Sequence, residues 1–358
     1  MRWEGQKLTD DGGAVVPALL PLAGLVRTVR TPDFAGITFH EVTAKSVLNK
    51  VPPTSSMPFS WTINPFRGCS HACVYCFARK THSYLNLDTG LDFDAQLVVK
   101  INAGEVLRRE LSRPSWHREH VALGTNTDPY QRAEGRYRLM PGIISALADS
   151  GTPFSILTKG TLLARDIPLL KAAAQSVTVG MGISLALVDP VLAETIEPGT
   201  PAPKARLALI SRLREAGLPC GVMAMPILPW LTDGDESLDR LFGELAAAGA
   251  TGVSAGPLHL RPGSREWFMQ WLSAHHPLLV PKYEQLYGGG SYASKEYREW
   301  LSGRVRVFRQ KHRLTAGAGF LRNLSPAKEP AASEPAAAPV PTLSGSPAPH
   351  GPVQSSLF

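Results

Sequence analysis

Six apolar, β-branched runs alternate with helix-like segments through the middle of this chain, and that alternation restricts the folds open to it. The runs cover residues 61–64, 121–123, 154–157, 177–183, 221–227 and 251–255. The helix-like segments cover 103–111, 140–148, 162–174, 204–215 and 237–248. Each is followed within a few residues by an apolar run, the signature of parallel strands joined by right-handed crossovers. Gly217 and Gly249 each follow a helical stretch, where a glycine cap is expected. Six runs fall short of the eight that close a barrel. The pattern therefore predicts an α/β fold built on a partial (β/α)6 TIM-type barrel, with ligands at the C-terminal ends of its strands.

The flanks read differently. Residues 1–55 are rich in Gly and Pro and read as an irregular N-terminal extension to a core at 56–263. Residues 264–323 read as a helical appendix. Residues 324–358 hold eight prolines among alanines and serines; they cannot build a core and read as a disordered tail. With 358 residues, 44% hydrophobic and 19% charged, the chain has ample material for a globular core. It begins without the basic-then-apolar pattern of a signal peptide, and its early apolar stretch at 14–26 is broken by Pro17 and Pro21. No run is long enough to span a bilayer. A cytoplasmic location is the expectation, and in a reducing compartment clustered cysteines are metal-binding or catalytic before they are disulfides.

Three of the four cysteines, Cys69, Cys73 and Cys76, fall within eight residues, directly after the first apolar run. Thiolates hold iron–sulfur clusters, usually four to a [4Fe–4S] cube. Three on one loop leave one iron open to a substrate or cofactor. The alternative is a tetrahedral Cys3His zinc site using His71 or His82, although no second pair of ligands accompanies the loop. Cys220 lies far off, before a strand, where a small buried residue is ordinary.

The spacing C-x3-C-x2-C, with Tyr75 just before the last cysteine, resembles the signature of the radical S-adenosylmethionine (SAM) superfamily. Further motifs resemble its spore photoproduct lyase-like branch: Asn64-Pro65-Phe66-Arg67-Gly68-Cys69, Gly124-Thr125-Asn126-Thr127-Asp128-Pro129-Tyr130-Gln131, Ile156-Leu157-Thr158-Lys159, Ile183-Ser184-Leu185, Glu197-Pro198-Gly199-Thr200-Pro201 and the stretch from Pro226 to Asp233. The resemblance covers about residues 60–258 and implies a [4Fe–4S] cluster on Cys69, Cys73 and Cys76, with SAM chelating the open iron. It also implies a reduced flavodoxin or ferredoxin as electron donor.

The resemblance suggests cofactor-binding roles for six residues. Lys159, at the end of a strand, could pair with the SAM carboxylate, as a matching lysine does in the family; otherwise it is a solvated loop lysine. Ser184 could bond the ribose or carboxylate, or simply cap a turn. Asn126, Thr127 and Asp128 could hold the methionine amino group or the substrate, or form an Asx-turn before Pro129. Tyr75 would lie against the cluster and adenine, or pack the loop. Arg206 reads as a helix-surface arginine, and Pro226, Pro229 and Asp233 as turn formers. One departure matters. Spore photoproduct lyase uses an additional cysteine as hydrogen-atom donor. Its place falls near Thr125, which carries no thiol, while Cys220 lies at the wrong end of its strand. Tyr75 and Tyr130 are the remaining candidates to relay hydrogen.

The formal charge is +7 and the pI about 9.3. Arg304, Arg306, Arg309, Lys311 and Arg313 form one basic cluster; Arg108, Arg109, Arg113 and Arg118 form a second. Such patches attract a phosphate backbone, or else are solvated helix faces. The chain ends in Gln354-Ser355-Ser356-Leu357-Phe358, which resembles the bacterial sliding-clamp binding motif, with Ser355 where leucine is usual. The sequence reading is thus a radical SAM enzyme with a nucleic-acid substrate. Modification of a protein or small metabolite is the second reading. A non-catalytic iron–sulfur or zinc protein with a clamp-binding tail is the third.

Overall fold

The computed structural model describes residues 24–55 and 57–317. The disordered-tail reading and the clamp motif therefore lie outside the described residues, as does the start of the N-terminal extension.

The part of that extension that is described is not irregular. It forms β1 (Leu25–Val29), β2 (Thr38–Val42) and β3 (Leu48–Lys50). Next come β4 (Trp61–Ile63), the short β5 (Phe66–Arg67), α1 (Leu91–Ala95), β6 (Gln96–Lys100) and α2 (Ala103–Leu111). Strands β1, β2, β6 and β5 make a small mixed sheet, with β2 and β6 parallel. Strand β2 escapes a pattern-based reading because three of its five buried residues, Thr38, His40 and Glu41, are polar. Glu41 is satisfied by Arg27 at 2.8 Å, and His40 by Gln96 at 2.9 Å, partners far away in sequence.

The main sheet carries the alternation read from the sequence. Its further elements are β7 (Val121–Leu123), α3 (Arg132–Tyr137), α4 (Leu139–Asp149), β8 (Phe154–Thr158), α5 (Ile167–Ala173), β9 (Val179–Ser184), α6 (Pro190–Ile196), α7 (Pro203–Glu215), β10 (Cys220–Ile227), α8 (Asp235–Ala247) and β11 (Gly252–Pro257). Strands β4, β7, β8, β9, β10 and β11 pair in that order, all parallel. These are the six expected strands. The sheet stays open, bordered by antiparallel β3 at one edge and the two-residue β12 (Thr315–Ala316) at the other.

Local chemistry explains the element boundaries. The helix read at 162–174 begins as a 3-10 turn, Thr161–Asp166, and becomes α5 only from Ile167. Pro168 at its second position supplies no N–H but fits the first turn of a helix. Gly217 and Gly249 have φ of +80° and +84°, the left-handed cap that α7 and α8 require. Helix α7 buries Leu209, Ile210 and Leu213 against the sheet, each stabilising by about 1.5–3 kcal/mol. The helical appendix is α9 (Arg265–His275), α10 (Val280–Tyr287) and α11 (Lys295–Lys311). Their aromatic residues pack over the ends of β10 and β11.

Candidate active site

A cavity of about 300 Å³ opens at the C-terminal ends of β7 to β11. Its walls include Cys69, Cys73, Cys76 and Tyr75 from the loop after β5, Asn126 and Asp128 after β7, Lys159 after β8, and Ser184 at the end of β9. Eight of the nine residues expected at a cofactor site thus meet in one place, all but Thr127. The volume is at the lower end of the ~300–1,000 Å³ typical of small-molecule sites. A second groove, about 760 Å³, lies beyond His71 and carries Arg165 and Arg212. Size does not decide between them, because no cysteine lines the larger one.

The cysteine loop is held from three sides. Gly68 turns at φ +80°, and a Cβ there would press on Leu97 and the Gln96 carbonyl, so the position needs glycine. The buried Gln131 amide clamps the loop by accepting from Ser70 N–H at 2.8 Å and donating to the Gly68 carbonyl at 3.0 Å. Arg79, with no exposed surface, donates to the Cys73 carbonyl at 3.0 Å and to both oxygens of Asp94 at 2.9 Å. On the third side Gly199 N–H donates to the His71 carbonyl at 3.0 Å.

Cys69 and Cys73 are buried and Cys76 is half-buried; all are free thiols. Burial pushes the Cys73 thiol well above its ordinary value, with Glu197 adding to the effect, and pushes Cys76 up to about 11. Such thiols surrender their protons to a metal rather than to water. Among the described residues, no three His, Cys, Asp or Glu converge as a single metal ion requires. A [4Fe–4S] cube binds thiolates on separate irons, so its ligands line a wall instead of meeting at a point. The two histidines proposed as ligands are each anchored through one ring nitrogen. His71 Nδ1 lies 3.4 Å from Asp128 Oδ2, and His82 Nε2 lies 2.9 Å from the Gln96 carbonyl. The three thiols on one cavity wall fit a cluster.

Asp128 holds the strand ends together. Its oxygens accept from Tyr130 N–H at 2.9 Å, Thr158 Oγ1 at 2.5 Å and Lys159 N–H at 2.6 Å. Burial disfavours its charge, but His71 and these hydrogen bonds outweigh burial and hold the carboxyl below its usual range. In return, although burial opposes it, Asp128 and Cys69 raise His71 to about 10. Thr127 turns away from the cavity and donates to the Phe66 carbonyl at 2.9 Å.

The centre of the charge network is Glu197, in the Glu-Pro-Gly-Thr-Pro segment after α6. Its side chain has no exposed surface. It accepts from the Tyr75 hydroxyl, lies 3.3 Å from Lys159 Nζ and 2.6 Å from Arg206 Nη2. Burial works against its charge; Arg206, Lys159 and the Tyr75 hydrogen bond prevail and hold it at about 2. Lys159 Nζ also donates to Ser184 Oγ at 2.5 Å, and Arg206 donates to the Ser184 carbonyl at 3.1 Å. The helix-surface reading of Arg206 is therefore corrected: the residue is fully buried. The signal was available, since Arg206 precedes Leu209 and Ile210 by three and four residues and shares their inward face. Glu197 left no comparable local signal.

Several residues stand apart. Cys220 is fully buried at the start of β10 and pushed up to about 12 by burial. Thr125 pairs its hydroxyl with Thr62 at 2.8 Å. Tyr130 is buried and donates to Asp166 at 3.1 Å, away from the cavity. Pro226, expected in a turn, instead lies within β10 and lines the cavity, while the Pro229 carbonyl accepts from Tyr283 and Asp233 accepts from Trp230 N–H in the turn that follows. The basic cluster on α11 is partly neutralised, by Arg304 pairing with Asp235 and Lys311 with Asp239.

Comparison with known proteins places this geometry in context. A sequence-family profile, Radical SAM superfamily, matches residues 63–242. Uncharacterized proteins of Mycobacterium tuberculosis and Mycobacterium bovis are 60% identical over 88% of this chain and 93% of theirs. One from Methanocaldococcus jannaschii is 27% identical over 55% of this chain and 70% of its own. Among solved structures, spore photoproduct lyase complexed with dinucleoside spore photoproduct superposes with a TM-score of 0.57 at 15% identity, over 78% of this chain and 80% of that one. A mutant of that lyase with bound AdoMet and the same dinucleoside gives 0.56 at 15% identity, over 75% and 77%. At such identities these structures share the fold.

Proposed function

The chain belongs to the radical SAM superfamily, and from that premise we propose that Cys69, Cys73 and Cys76 hold its [4Fe–4S] cluster and that the cavity beside them takes SAM and a nucleic-acid substrate. The observation that carries the reading is the meeting of the three thiols with Lys159, Ser184, Asn126 and Asp128 around one cavity. When bound, the reduced cluster supplies the electron that cleaves SAM to methionine and a 5′-deoxyadenosyl radical, which takes a hydrogen atom from the substrate.

The protein's own residues bind, orient and exclude water. Lys159 has three N–H donors; two reach Ser184 and Glu197, and the third is available to the methionine carboxylate. Glu197 and Arg206 keep that ammonium in place. Tyr75, fixed by Glu197, presents its ring to the cavity. Leu157, Met223 and Met225 supply apolar wall that shields a radical from water. Burial and Glu197 keep the Tyr75 phenol protonated.

A nucleic-acid substrate is supported by the net charge of +7 and by the exposed Arg306 and Arg313 on and after α11. The Thr125 hydroxyl stands where the lyase resemblance expects a thiol, so the reading does not extend to photoproduct cleavage. Enzymes of this superfamily need an electron donor; a flavodoxin or ferredoxin is proposed here. The clamp reading rests on Gln354 to Phe358 alone. No described helix is long and apolar enough to cross a membrane.

Anaerobic reconstitution tests the reading. Iron and sulfide should bind, and dithionite should release 5′-deoxyadenosine from SAM. Replacing Lys159 with Ala should raise the SAM concentration needed for half-maximal release at least ~10-fold, the worth of a hydrogen bond to a charged group. Stable zinc binding without 5′-deoxyadenosine would sink the proposal.

A further inference from the structure

Four large exposed aromatic side chains, Phe77, Tyr292, Trp230 and Trp300, each have a cation within about 6 Å of the ring centroid. Phe77, 44% exposed, lines the cavity and lies 5.5 Å beneath the Arg261 guanidinium. Tyr292, 61% exposed, stacks on the cavity-lining His259 with centroids 4.1 Å apart and planes inclined by 17°; Arg298 lies 5.8 Å from its ring. Trp230 and Trp300, 44% and 45% exposed, meet Lys282 and Arg304 at 5.8 Å and 5.2 Å. Singly scattered exposed aromatics need no explanation. These four are connected.

The connection runs through the helical appendix. The backbones of His259 and Tyr292 form a β-bridge. Tyr287 donates to the Leu258 carbonyl at 2.8 Å and stacks on Tyr283 at 5.9 Å, and Tyr283 packs against Trp230 at 5.5 Å. Trp230 and Trp300 share a groove of about 530 Å³ with Tyr297 and Arg304. Trp230 sits at φ +60°, a conformation that a bulky side chain rarely adopts. Asp233 holds it there, accepting from Trp230 N–H and from the Tyr297 hydroxyl, both at 2.8 Å. Strain maintained by a dedicated partner to keep an indole at the surface points to use.

We propose that Trp300, Trp230, Tyr292 and Phe77 form a stacking track for single-stranded nucleic acid that ends at the cavity mouth, with Arg261, Arg298 and Lys282 meeting its phosphates. The proposal rests on the nucleic-acid reading of the cavity and specifies the form of the substrate. Two features select this occupant. Every base offers a π-face, so a row of rings suits any strand, and cations beside the rings follow its backbone. Arg261, Arg298 and Lys282 are exposed, and none is held in an ion pair among the described residues. A duplex buries its base faces, so it gains only the phosphate contacts. An acidic peptide also meets the cations but leaves the aromatic faces unmatched.

The test is fluorescence anisotropy with the full chain and short labelled oligothymidylate and oligouridylate, at two salt concentrations. Tyr292→Ala and Trp230→Ala should each raise the Kd about 10-fold, the worth of one stacked base, while Tyr292→Phe stays within about twofold. Binding of one oligomer only still supports the track and narrows its occupant to that polymer. Wild-type affinity in both alanine variants overturns the proposal, as does equal competition by polyglutamate of matching charge. Release of 5′-deoxyadenosine without any oligonucleotide is measured in parallel. If it occurs and oligonucleotides do not bind, the track fails and the cofactor site stands. If it does not occur, the radical reading fails, and the anisotropy still decides the track.

Discussion

Arg206 Nη2 lies 2.6 Å from Glu197 Oε2, and neither side chain has any exposed surface. This pair joins α7 to the segment after α6 and supports Lys159, Tyr75 and Ser184 from behind. Removing one member of a buried pair strands the other charge, at a cost of about 3–5 kcal/mol. Arg206→Met should therefore lower unfolding stability by that amount, read from denaturant midpoints at constant slope. Combined with Glu197→Gln it should lose less than the two single changes added together. A loss under about 1 kcal/mol for Arg206→Met would show the pair to be dispensable.

The same carboxylate makes stability depend on acid. Glu197 is held at about 2, below its ordinary 4.5. A depressed carboxyl stabilises the fold fully above the unfolded value, and that contribution is lost as the pH falls toward the folded one. Wild-type melting temperature should thus decline between about pH 4.5 and 2 more steeply than that of Glu197→Gln, which has no proton to gain. Parallel acid limbs would assign the decline to other groups.

The cysteines divide into two classes by place in the fold. Cys69, Cys73 and Cys76 line the cavity, whereas Cys220 is packed in the core at the start of β10. Replacing any of the first three with Ala should abolish iron binding on reconstitution. Cys220→Ala should keep full iron and 5′-deoxyadenosine release, with a stability loss of about 1 kcal/mol. Iron retained by a Cys73→Ala variant would contradict the ligand assignment.

How far the chain can be read without its structure follows from the range of its interactions. The six barrel strands show as apolar runs because both their faces are buried. The cysteine loop is legible because its three thiols belong to one short segment. Strand β2 is not, since His40 and Glu41 are paid for by Gln96 and Arg27, residues no local pattern connects to them. The Lys159–Glu197–Arg206 junction is hidden for the same reason: it joins the end of β8 to two separate points of the following β9–β10 crossover. Arg206 was recoverable from helical spacing, but its partner had to come from the fold.

Gly199 links this hidden junction to the legible loop. It lies two residues after Glu197, its N–H donates to the His71 carbonyl at 3.0 Å, and a Cβ there would collide with the Ser70 carbonyl. Backbone cannot yield as a flexible side chain does, so Gly199→Ala must displace either the cysteine loop or Glu197. Cluster content after reconstitution should fall several-fold, with a stability loss of about 1–3 kcal/mol. Gly217→Ala is the matched control. Its φ of +80° makes a side chain unfavourable by about 1–2 kcal/mol, yet nothing lies within 4 Å of its added Cβ. It should lose comparable stability and keep its iron. Equal iron in both variants would mean that the loop does not depend on this contact for its shape.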